Sequence, residues 1–186
     1  CRDGTALFRR VESARTHETP CDAMQKSHYE ATVELNTPAH ALFAYLDDHS
    51  SLSAHMSDSS WMLAGSRMAI KLDASEGRAV GAIIRLSGRV LGIPLCVEEI
   101  VTERTPPLRK VWETIGKPQL LVIGSYRMGY EITPQAQASR LRVFIDYALP
   151  DGVISRWIGR VFGNFYARWC TQRMANDAAM HFQRRG

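Results

Sequence analysis

Carboxylates set close together on a strand are the first residues in this chain that could do chemistry. In PLCVEEIVTE, Glu98 and Glu99 are adjacent, and paired carboxylates do general acid and base work when both reach one substrate. Neighbours on an extended strand point to opposite faces, so these two are not expected to act together. In KVWET the register decides: with Val111, Glu113 and Ile115 inward a carboxylate enters the interior, whereas the opposite register puts Trp112 inside and Glu113 in solvent. Both registers are compatible with the sequence. Tyr126 and Tyr130 share one face of SYRMGYEI, and a carboxyl buried beside them would have a raised pKa and act as general acid or base. Glu113, Tyr126 and Tyr130 are therefore the catalytic candidates. An exposed Glu113 paired with an arginine across the sheet is the alternative.

No nucleophile stands beside a base. The serines lie in no strand–elbow–helix context, and Cys96 and Cys170 have no histidine partner in their surroundings. His40, His49 and His55 gather loosely with Asp47, Asp48 and Asp58. A metal site needs fixed spacing on a rigid element, so this group reads as a polar lid; neither a metal nor a cofactor is expected. Cys1, Cys21, Cys96 and Cys170 match no ligand spacing and read as free thiols of a reducing, cytoplasmic setting. A chain opening on Cys1 is expected to start downstream of its translation start.

These residues must be positioned by a chain of 186 residues, long enough for one core without staples. The formal charge of +4 and pI near 9.0 come from scattered arginines, not from a basic face interleaved with aromatics, so nucleic acid is not an expected partner. No run approaches the roughly 20 apolar residues of a membrane span. Residues 1–27 are polar and mixed in charge and are expected to form a mobile tail, with a single domain over residues 28–184.

From His28 the chain alternates: Tyr29, Ala31, Val33 and Leu35 stand against polar neighbours, the period of a half-buried strand. Thr37 as N-cap and Pro38 at the first helical position predict a short helix with Ala39, Phe43 and Leu46 on one face. DDHSSLSAHMSDSS is predicted to hold a second short helix or a loop. Six strands joined by turn signals follow: Met68, Ile70 and Leu72, then Val80, Ala82, Ile84 and Leu86, then PLCVEEIVTE, KVWETIG, LLVIGSYRMGYEI and RLRVFIDYAL. Their short links admit only antiparallel pairing.

A long final helix remains to cover the sheet. From Gly152 onward, Ile154, Trp157, Ile158, Val161, Phe162, Phe165 and Trp169 fall within one arc, with Arg156 and Arg160 pointing away. The spacing predicts that this aromatic stripe docks on the sheet. Interfacial membrane helices pair an aromatic with an arginine face too, but a stripe lost to a membrane would leave the strands uncovered. Transient membrane contact stays open. Gly159 and Gly163 lie away from the stripe, where a loop or partner subunit could approach closely. A helix reaching residue 183 outruns a compact domain, and the polar HFQRRG end is expected to overhang or fray.

The layout, an α+β arrangement of strand, two short helices, six antiparallel strands and a long C-terminal helix, resembles the helix-grip fold of the START/Bet v 1-like (SRPBCC) superfamily. VELNTPAHALFAYLDD looks like its first strand and helix, and SRLRVFIDYALPDGVISRWIGRVFGNFYARW like its last strand, proline corner and final helix. The wording is most similar to bacterial polyketide cyclase/dehydrase and lipid-transport-like members. The resemblance implies a cavity between curved sheet and final helix for a small apolar or aromatic molecule. By strand and helix phase its walls would be Trp112, Tyr126, Met128, Tyr130, Tyr147, Trp157, Phe165 and Trp169. Three functions fit: binding or carrying such a ligand, cyclase- or dehydratase-like catalysis in the cavity, and a protein-interaction module.

Overall fold

The computed structural model describes residues 27–48, 68–90, 93–120, 122–150 and 153–184. The tail, the second short helix, Cys1, Cys21, His49, His55 and Asp58 lie outside the described residues.

Strand β1 (Ser27–Leu35) leads into helix α1 (Ala39–Asp47), and six strands follow: β2 (Met68–Leu72), β3 (Ile83–Val90), β4 (Ile93–Thr105), β5 (Arg109–Gln119), β6 (Tyr126–Gln135) and β7 (Ala138–Tyr147). The long helix α2 runs over Val153–Gln183. All strand pairs are antiparallel, in the order β1-β7-β6-β5-β4-β3-β2. The β1–β7 pairing closes the first strand onto the last, so a meander of local hairpins becomes one sheet.

Alternation decides what each face holds. Leu141, Val143, Ile145 and Tyr147 of β7 and Met128, Tyr130 and Ile132 of β6 point into one core, shared with Leu42, Phe43 and Leu46 of α1. The outer face is charged and internally matched: Arg85 meets Glu98 at 2.5 Å, Arg142 meets Glu30 at 2.6 Å and Arg140 meets Glu34 at 2.9 Å. Phe144, on that outer face, sits beneath the guanidinium groups of Arg109, Arg127 and Arg142. Irregularities in β4 between Cys96 and Glu98 and between Val101 and Glu103 interrupt the pairing with β5, and such bulges bend a strand and sharpen its twist.

Several local expectations are corrected. Pro38 itself takes the N-cap position of α1, with no side-chain cap; the Thr37 carbonyl instead accepts a hydrogen bond from the Ser139 hydroxyl at 2.8 Å. Val80 is exposed, because Gly81 turns the chain at φ 87° before β3 begins. Asp47 belongs to no polar lid but is buried.

The largest correction concerns α2. Its gripped face is the small one: Gly159, Gly163, Ala167, Cys170, Thr171, Met174, Ala175 and Ala178 are buried. A Cβ at Gly159 would stand 2.8 Å from Pro150 Cδ and 3.0 Å from the Val122 carbonyl oxygen, and one at Gly163 3.2 Å from Tyr147 Cε2. The helix backbone lies too close to the sheet for a larger residue, so the aromatic stripe is turned away: Trp157, Val161, Phe162 and Phe165 are all exposed. The side chains of Ile154 and Ile158 lie outside the description. The far end stays helical to Gln183, where His181 stacks on Tyr45 with ring centroids 4.1 Å apart and Phe182 meets the same ring edge-on.

Candidate functional site under the long helix

The inner face of β4 reads Leu95, Val97, Glu99 and Val101, and all four are buried. A carboxylate thus occupies a position in a row of aliphatic residues, while Glu98 points out to Arg85. Glu99 stands opposite Thr114 of β5, whose hydroxyl oxygen accepts the Tyr126 N–H at 3.1 Å. That contact draws the start of β6 onto Glu99, and the Tyr126 hydroxyl donates a short hydrogen bond to Glu99 Oε1. Burial pushes the Glu99 carboxyl up to about 7, opposed by the Tyr126 bond and by the charge of Lys110.

Helix α2 supplies the opposite wall. Tyr166 and Cys170, one turn apart, are hydrogen-bonded to each other, and burial pushes the thiol up to about 12. Burial also raises the Tyr126 and Tyr166 hydroxyls well above the usual tyrosine range, with Glu99 contributing to both. The result is a carboxyl that exchanges its proton near neutral pH, ringed by hydroxyl and thiol groups that keep theirs. Such a carboxyl can accept or return a proton to a bound molecule while the tyrosines donate hydrogen bonds.

A second buried polar group lies toward α1. The Val101/Glu103 bulge shifts the phase of β4, so Arg104 faces the same way as its partner Lys110. Fully buried Lys110 donates from Nζ to Asp47 Oδ1 at 3.0 Å and to the Asp47 carbonyl at 3.2 Å. Arg104 donates from Nη2 to Asp47 Oδ2 at 2.7 Å. Burial alone would raise the Asp47 pKa, but the bonds from Arg104 and Lys110 outweigh it and hold the carboxyl below its ordinary value. Burial lowers the Lys110 pKa, with Asp47 acting against it. Beside them Tyr130 is fully buried, edge-on to Phe43 at 5.8 Å and Trp112 at 6.3 Å. Its hydroxyl has no hydrogen-bond partner among the described residues. Among the described residues no cluster of three His, Cys, Asp or Glu side chains is set to hold a metal ion.

Register also decides the fate of the sequence candidates. Trp112 pairs with Val101 and Met128 and lies inside, whereas Glu113 pairs with Ile100 and Arg127 on the outer face. Glu113 is thereby removed from the interior. Tyr126, Met128, Tyr130 and Tyr147 all face the helix side. Trp169 is half-buried against the core, 6.0 Å from the Tyr166 ring. Trp157 and Phe165 lie on the exposed side of α2. The sequence reading sets Glu99 aside with Glu98, places Asp47 in a polar lid, and does not single out Tyr166, Lys110 or Arg104. The signal for Glu99 was present: it occupies the inward phase of Leu95, Val97 and Val101.

The sheet wrapped on a long C-terminal helix defines the class: this chain has a Bet v 1-like helix-grip fold. Solved structures that share it include the ZhuI aromatase/cyclase from Streptomyces sp. R1128, at a TM-score of 0.65 and 13% identity over 86% of this chain and 95% of that one. Norcoclaurine synthase from Thalictrum flavum matches at 0.61 and 10% identity, over 94% and 97%. The Ara h 8.0201 protein matches at 0.58 and 9%, over 85% and 98%. No protein-family profile matches the sequence, and no curated protein does.

Proposed function

We propose that this protein binds or carries a small apolar or aromatic molecule between the sheet and α2. The observation that carries the reading is the state of the facing walls. Tyr126 on the sheet and Tyr166 and Trp169 on the helix keep accessible surface although each packs against the core, with a buried carboxyl between sheet and helix. Partly exposed side chains on two facing elements can line a space for a ligand, and aromatic walls with a few convergent polar groups suit an aromatic one. Trp112, Met128, Tyr130 and Tyr147 complete the inner surface. Native mass spectrometry of the purified protein should show a co-purified small molecule. Titration with the fluorescent probe 1-anilinonaphthalene-8-sulfonate should saturate and weaken about tenfold in Trp169→Ala. Probe affinity unchanged in Trp169→Ala and in Tyr126→Phe would sink the reading.

A second reading, catalysis of the cyclase or dehydratase kind, is favoured by Glu99 specifically. A carboxyl with a pKa near 7, hydrogen-bonded to a tyrosine, fits removal of a proton beside a ligand carbonyl and its return to oxygen. The shared fold of an aromatase/cyclase is compatible with this reading. Glu99→Gln would then abolish turnover of a poly-β-ketone substrate while leaving probe binding in place; turnover surviving that change excludes the reading.

A further inference from the structure

We propose that the outer face of the first half of α2 is a docking surface for an anionic lipid bilayer. The case begins with the inversion of the helix. Its small residues grip the sheet, so the aromatic face is surplus to the fold: Trp157 is 69% exposed, Phe162 52% and Val161 51%. A helix seated this way can touch a membrane without uncovering the sheet. The helix can hold the sheet with Gly159, Gly163 and Ala167 and present Trp157 and Val161 elsewhere at the same time.

Charge selects the occupant. Over residues 153–172 the helix carries Arg156, Arg160 and Arg168 and no acidic residue, and Arg160 and Arg168 are exposed beside the apolar side chains; further along, Arg173 is paired with Asp177 at 3.2 Å. An exposed Trp/Phe/Val surface fringed by arginine alone fits an interface of acyl chains beneath anionic headgroups, where each basic group adds attraction and each aromatic ring inserts at the boundary. A protein partner of the same charge pattern, such as a second copy of this chain, would set arginine against arginine. No helix among the described residues is long and apolar enough to cross a membrane, so the contact is made along the surface. At Gly159 and Gly163 the helix comes too near Pro150 and Tyr147 for a larger residue, so this end of the helix cannot roll to bury the stripe. The docking face is thus held open by the packing behind it.

Co-sedimentation of the full chain with vesicles of phosphatidylcholine, or of phosphatidylcholine and phosphatidylglycerol in equal parts, tests this. Binding is expected on the anionic vesicles and to fall about tenfold or more in Trp157→Ser/Phe162→Ser. Arg160→Ala/Arg168→Ala should remove the preference for anionic over neutral vesicles. Both pairs alter exposed positions, and an unchanged far-ultraviolet circular dichroism spectrum and melting temperature would show that the fold persists. The proposal is overturned if the wild type stays in the supernatant, or if both double variants sediment like it. It is equally overturned if light scattering shows a dimer that Trp157→Ser/Phe162→Ser dissociates, or if hydrogen exchange shows residues 49–67 covering the face. The result is independent of the ligand reading, which is measured with a soluble probe and without vesicles.

Discussion

Glu99 ties stability to pH in a direction opposite to most carboxylates. Its folded pKa of about 7 lies above the ordinary 4.5, so between those values the folded chain keeps a proton that the unfolded chain has released. The contribution is complete below the ordinary value and is lost as pH rises through the folded one. Relative to Glu99→Gln, the wild type should lose about 3 kcal/mol between mildly acidic and mildly alkaline pH. Urea denaturation of both proteins at the two ends of that range measures it, and parallel pH profiles would show that the carboxyl ionises freely. Tyr130 offers a simpler test. Its buried hydroxyl has no partner among the described residues, so Tyr130→Phe should stabilise the ligand-free protein by about 1 kcal/mol, read from the shift in urea midpoint. For Asp47 the expectation is reversed: Asp47→Asn leaves buried Lys110 facing a neutral amide and should cost about 3 kcal/mol, a loss that Asn cannot recover because it brings no charge.

The long helix is defined by how near it comes to the sheet. In an ordinary helix Gly→Ala gains about 1 kcal/mol. At Gly159 the new Cβ meets Pro150 and the Val122 carbonyl at 2.8 and 3.0 Å, so Gly159→Ala should instead destabilise by about 1–3 kcal/mol. Thermal unfolding of Gly159→Ala beside an exposed control, Asn164→Ala, separates the two effects. Strand β4 makes the corresponding point for the sheet. Its bulges bring an aliphatic row with Glu99 and, one phase later, Arg104 to the same interior, and this places two polar groups at different depths under one helix. Packing at the far end, where His181 and Tyr45 stack, keeps α2 helical where its polar sequence alone suggests fraying.

A protein built as a grip, with its core on one side of a helix and an exposed apolar face on the other, has two surfaces on which the proposals above can be tested. The inner one bears on thermal stability. A ligand that binds only the folded state raises the apparent stability by mass action, so stripping the co-purified molecule by unfolding and refolding should lower the melting temperature. Adding it back should restore that temperature in a concentration-dependent manner; an unaltered melting temperature after complete stripping would mean that the interior is filled by the protein itself. The outer one bears on location in solution or at a membrane, through the arginine-fringed face of α2.

Periodicity carried most of the architecture. The alternation in β1, β6 and β7 and the short turns between strands are local properties, written in hydrophobic phase and turn residues, and they predict an antiparallel sheet ending in a long helix without knowledge of contacts. The inward positions of Tyr126, Met128, Tyr130 and Tyr147 follow from the same alternation. Three matters were decided by tertiary contact. The register of β5 depends on its partners Val101 and Met128, which put Trp112 inside and Glu113 out. The pairing of Glu99 with Tyr126 requires β4 and β6 to be bridged by Thr114. The seating of α2 depends on the distance available, and hydrophobicity ranks Trp157 above Gly159 for burial, whereas a Cβ at Gly159 would stand only 3.0 Å from the Val122 carbonyl oxygen, a spacing that favours glycine. Local pattern states which residues prefer an interior; the space between elements determines which of them fit it.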